Sequence, residues 1–119
     1  MPVIQNFSVP ADDDVEVNID VDPDDGVSLV GSTIYFRVYE QTNGVPTYDV
    51  SPVISKQTDQ GIQVTDSDAW QFTVTIDRAD TASLLRNYYF ETQVVDSNGK
   101  SVRTTYGIMT VTQTENRGN

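Results

Sequence analysis

The chain has 119 residues, no cysteine, no histidine, and 18 acidic against 7 basic side chains, for a net charge of −11. That length suits one domain. The missing cysteines exclude disulfides and thiolate sites, and the missing histidines remove the commonest general base and transition-metal ligand. The acidic balance disfavours nucleic acid and anionic lipid as partners, and no apolar run is long enough to span a membrane.

Met1 to Pro10 carries Val3, Ile4, Phe7 and Val9 without a basic region or a continuous apolar stretch. It does not read as a signal peptide, so the expected setting is synthesis in a cytoplasm. Residues 1–10 read equally as an arm that docks on this domain or on a neighbour and as an ordinary first strand. Residues 11–113 then form the domain, and 114–119 a loose tail.

Asp12-Asp13-Asp14 leads into the clearest pattern in the chain, Val15, Val17, Ile19 and Val21 alternating with Glu16, Asn18 and Asp20. A period of two marks a strand with one buried and one wet face. Asp22-Pro23-Asp24-Asp25-Gly26 then reads as a turn. Asp20, Asp22, Asp24 and Asp25 are the only calcium candidates. The glycine comes one position late for a calcium loop, and Gly31 stands where the bidentate glutamate belongs. No metal or other cofactor is therefore expected, and the aspartates read as a solvated strand end.

A second strand is expected over 33–40, with Ile34, Phe36 and Val38 on its core face. Asn43-Gly44 suits a tight turn. Pro46 and Pro52 make 45–54 an edge or irregular segment, and Ile62 and Val64 suggest a short strand. Trp70, Phe72, Val74 and Ile76 alternate as a central strand, with Trp70 anchoring one end of the core. The only expected helix is a turn near 79–85, capped by Asp80 or Thr81, with Leu84 and Leu85 closing the core. Strands at 88–95 and 101–113 flank an Asn98-Gly99 hairpin. Gly107 marks a bulge or a close backbone approach.

About seven short strands with turn signals between them predict an all-β fold, an immunoglobulin-like antiparallel β-sandwich in preference to any α/β fold; strand spacing alone does not separate it from a closed barrel. No acidic pair stands out as desolvated, so catalysis is not expected. Most of the aromatics (Tyr35, Tyr39, Tyr48, Tyr88, Tyr89, Phe90 and Tyr106) read as core or cross-strand pairs. Tyr35 and Tyr39, however, fall opposite the core face of their strand with Arg37 between them. They predict an exposed Tyr–Arg stripe of interface composition. The expected contact residues are Tyr35, Arg37 and Tyr39, with Ile4 and Phe7 from the arm.

Two stretches carry a resemblance. Asp25-Gly26-Val27-Ser28-Leu29-Val30-Gly31-Ser32-Thr33-Ile34-Tyr35-Phe36-Arg37-Val38 is the first. The second comprises Asp80-Thr81-Ala82-Ser83-Leu84-Leu85, Tyr88 to Val94, Asp96-Ser97-Asn98-Gly99-Lys100 and Gly107-Ile108-Met109-Thr110-Val111. Together, over roughly 25–112, they resemble the immunoglobulin-like domain of small bacteriophage tail and baseplate structural proteins, as at the N-terminus of baseplate upper proteins. The resemblance implies a non-enzymatic virion component of tail, baseplate or neck. It would be assembled in the bacterial host cytoplasm and bind other virion proteins, in several copies within a symmetric particle. Two other readings fit the composition: a bacterial surface adhesin module that binds calcium through the acidic loop, and a carbohydrate-binding module stacking sugars on Trp70 or the tyrosine stripe. The charge also permits a DNA-mimicking inhibitor, but the acids are spread over loops and strand faces.

Overall fold

The computed structural model describes residues 3–11, 14–20, 31–43, 45–49, 51–66, 71–81, 84, 86–96 and 98–112, with Val3, Asp20 and Asp66 in their backbone only. Asp12, Asp13, Asp22, Asp24, Asp25, Trp70, Leu85 and the 114–119 tail lie outside the described residues.

Among the described residues the chain is all-β with one helical turn. Its strands are β1 (Val3–Ile4), β2 (Phe7–Pro10), β3 (Val15–Asp20), β4 (Thr33–Tyr39), β5 (Gln41–Thr42), β6 (Val45–Pro46), β7 (Ile54–Thr58), β8 (Gly61–Asp66), β9 (Gln71–Ile76), β10 (Asn87–Val95) and β11 (Ser101–Thr112). The helix, α1, covers Arg78–Thr81. The main sheet runs β1-β11-β10-β4-β7-β8-β9-β3, with β2 following β1 along β11, and β5–β6 form a separate hairpin. Most pairings are antiparallel, as expected. β1 and β2, however, run parallel to β11, and β7 meets β8 in a short parallel pairing.

One hydrophobic cluster unites both ends of that path. Ile19 of β3, Ile62 of β8 and Phe72, Val74 and Ile76 of β9 share it with Ile34, Phe36 and Val38 of β4, Phe90 and Val94 of β10, and Met109 and Val111 of β11. Strands at opposite ends of a flat sheet could not share a core, so the sheet curls into a nearly closed wall around these side chains. Phe36, Phe72 and Phe90 are fully buried; burying such a ring contributes roughly 1.5–3 kcal/mol. Phe7 packs edge-on against Phe90 at 4.9 Å between ring centroids.

The arm is therefore a strand in two pieces, and the kink between them explains Gly107. Gln5 N–H donates to the Tyr106 carbonyl (3.0 Å), and Ile108 N–H donates to Asn6 Oδ1 (2.9 Å). A Cβ on Gly107 would collide with the Gln5 carbonyl oxygen. Gly107 is thus a close backbone approach. The bulge of β11 lies earlier, where the register with β10 shifts between Thr92 and Gln93. It turns Thr104 inward, and the Thr104 and Thr92 hydroxyls meet at 2.8 Å. The neighbouring Thr105 hydroxyl is buried without a hydrogen-bond partner among the described residues.

The helix starts one residue earlier than expected. Asp80 does not precede it as a cap; it lies within the first turn, and its carboxylate accepts from Asp77 N–H (2.8 Å), the backward half of a capping box. The same carboxylate binds Lys56 Nζ at 2.7 Å, tying β7 to α1.

Candidate interface on the outer face of β4, β10 and β11

The pairing register lays the outward side chains of five strands in rows. Ile4, Tyr106, Glu91, Arg37 and Ser55 align across β1, β11, β10, β4 and β7. On one side of that row run Ile108, Tyr89 and Tyr39; on the other run Arg103, Gln93, Tyr35 and Gln57. Strands about 4.8 Å apart bring such neighbours into contact.

Both arginines on this face lie over tyrosines. The Arg37 guanidinium sits 4.6 Å from the Tyr35 ring centre, and that of Arg103 sits 4.9 Å from the Tyr106 ring centre. Arg37 donates to Gln93 Oε1 at 3.3 Å, and Arg103 to the Tyr89 hydroxyl at 3.1 Å. Each side chain is thereby held in one geometry, and each stack is worth about 0.5–1 kcal/mol at an exposed site. Neither arginine is ion-paired among the described residues.

Tyr48 roofs one end of the face. Its ring meets Tyr39 edge-on at 4.9 Å and Tyr89 at 6.3 Å, and its hydroxyl donates to Glu91 Oε1 at 2.7 Å. Tyr48 itself is 54% exposed, but its hydroxyl end is tucked against β10. Burial of that end, then the Glu91 carboxylate, pushes its ionisation well above the ordinary tyrosine range. Burial likewise raises Tyr89. Both remain neutral hydrogen-bonding groups at any physiological pH.

Tyr35 and Arg37 are half-buried on the outward side, with Arg37 beside Tyr35 as the alternation predicted. Tyr39 differs from expectation: it points outward but is only 9% exposed, because Tyr48 covers it. The exposed stripe therefore loses Tyr39 and gains Tyr48. The two arm residues separate as well. Ile4 is 65% exposed and extends the platform beside Tyr106, whereas Phe7 packs against the core. Of the calcium candidates, Asp20 ends β3 opposite Gln71, and the other three lie outside the described residues.

Glu91, Gln93 and Arg103 were not visible as platform members from sequence. Alternation within β10 and β11 marks them as outward, but only the register with β4 places them beside Tyr35 and Arg37. A scan against protein-family models matched none, and a search of curated proteins found no match.

Proposed function

We propose that this chain is a non-catalytic protein-binding domain of the immunoglobulin-like sandwich type. It engages its partner through the platform centred on Tyr35, Arg37, Tyr48, Arg103 and Tyr106. The strand order supports the sandwich reading: β3, β9 and β8 face β11, β10, β4 and β7 across one core, and β2 runs parallel to the last strand. The observation that carries the binding reading is the pair of tyrosine-stacked arginines on an aromatic, partly exposed sheet face. Tyrosine and arginine dominate interface energetics, and pre-ordered side chains lose less entropy on docking.

The virion setting in tail, baseplate or neck rests on the likeness of residues 25–112 to phage tail and baseplate domains. In that setting the partners are other virion proteins, several copies sit in a symmetric particle, and assembly takes place in the bacterial cytoplasm. A photo-crosslinking residue at Tyr48 or Tyr106, compared with one at Gln63 on the opposite face, tests the binding reading in the native setting. Crosslinks to a defined protein from the first two positions are expected. Crosslinks confined to position 63 would overturn the assignment.

A further inference from the structure

The platform is a local inversion of charge. On a chain of net charge −11, it presents Arg37 and Arg103 with Glu91 as the single carboxylate in the rows around them. Glu91 is already engaged by Tyr48. The two guanidiniums are satisfied by neutral oxygens and aromatic faces, so each keeps donors and charge for an arriving carboxylate.

The opposite side of the molecule carries the complement. β3 ends the sheet path, with β9 as its sole ladder partner among the described residues. Glu16 is exposed on β3 and Asp14 just before it, with one Asp14 carboxylate oxygen accepting from Arg78 N–H (2.8 Å) and the other oxygen left for a partner; the outward row behind them, Asn18, Thr73 and Gln63, is uncharged. An acidic edge and a cationic aromatic platform therefore sit on opposite halves of one curled sheet.

We infer that the platform accepts a second copy of this chain, docked head to tail through the Asp14–Glu16 edge of β3. This rests on the platform being the binding face and names its occupant. Two different patches meet in such a contact, so a pair of copies still has one free platform and one free edge. Copies then add successively and close into a ring or extend as a filament. The overall charge of like copies opposes the contact, so association is weak for isolated molecules and depends on ionic strength.

Sedimentation velocity over a concentration series, in about 0.1 M salt where the Debye length is about 10 Å, provides the test. The wild-type chain should show a sedimentation coefficient that rises with concentration. Arg37→Glu/Arg103→Glu and Asp14→Lys/Glu16→Lys should each weaken association about tenfold or more. Glu16→Lys alone serves as the milder variant should the double change unfold the edge. Mixing the two charge-reversed proteins should restore association, because each platform then meets an edge of opposite sign. A wild-type chain that stays monomeric up to its solubility limit would overturn the inference. So would a platform variant that alone abolishes association while the edge variants do nothing, which would mean a face-to-face dimer. Monomeric behaviour combined with crosslinks from Tyr48 to another protein would remove the second copy and leave the binding face standing.

Discussion

Over β4, β10 and β11 the outward positions hold Tyr35, Arg37, Tyr89, Glu91, Gln93, Arg103 and Tyr106; over β3, β9 and β8 they hold Glu16, Asn18, Thr73, Thr75, Gln71 and Gln63. Both faces arise from the same period of two, and both lie over the same core. On the second face Thr73 donates to Asn18 Oδ1 at 2.8 Å, closing a short polar pair suited to meeting water. On the first, tyrosines cover one another and hold two arginines in place. The difference shows that alternation decides which way a side chain points, and side-chain chemistry decides whether that face is finished by short polar pairs or by stacked aromatic and cationic groups.

The largest expected effect would break the idea of a shared core. Phe72→Ala on the hydroxyl side and Phe90→Ala on the aromatic side should each cost about 3–5 kcal/mol by denaturant titration. Loss of stability in only one of them would mean that the two halves do not fold as one unit. The next effect separates the halves. Gly107→Ala should cost about 1–3 kcal/mol through overpacking, and amide exchange should rise at Ile108 and along β2 while β3 and β9 stay protected. The smallest concerns tyrosine ionisation. A phenol whose ionisation is raised by folding supports the folded chain below its unfolded value near 10, and that support is lost as pH climbs through the folded value. Stability should therefore hold up to about pH 10 and fall beyond it, and Tyr48→Phe should remove one late-ionising group from an absorbance titration.

Six strands were legible in the sequence: β3, β4 and β9 by an alternation strong enough to reveal the buried side, β8 by Ile62 and Val64, and β10 and β11 by aromatic and β-branched content around the Asn98-Gly99 turn. β7 was not. Its Ile54-Ser55-Lys56-Gln57-Thr58 sequence has one buried apolar residue, and Lys56 spends its aliphatic stem covering Gly61 while its amine reaches Asp80. The Asp80 carboxylate was legible as a cap but not in its position within the first turn, from which it reaches back to Asp77 N–H. Two of the five central platform residues were legible: Tyr35 and Arg37 follow from the pattern of β4 alone. The fate of Tyr39 was not, because the residue that buries it arrives from a later turn. The parallel course of β1 and β2 also lay beyond periodicity, which fixes the facing of a strand and not its neighbour.

The pairing of the arm with β11 also sets a timetable. Asn6 and Ile108 are 102 residues apart in the chain, yet they hydrogen-bond. Within this domain the strand made first must wait for the one made last before it can dock, and contacts between such distant residues form slowly. Until then Phe7 is uncovered and the β11 side of the sheet is unfinished. Completion of this fold thus waits for β11, and the Phe7–Phe90 contact at the core is among the last to be covered.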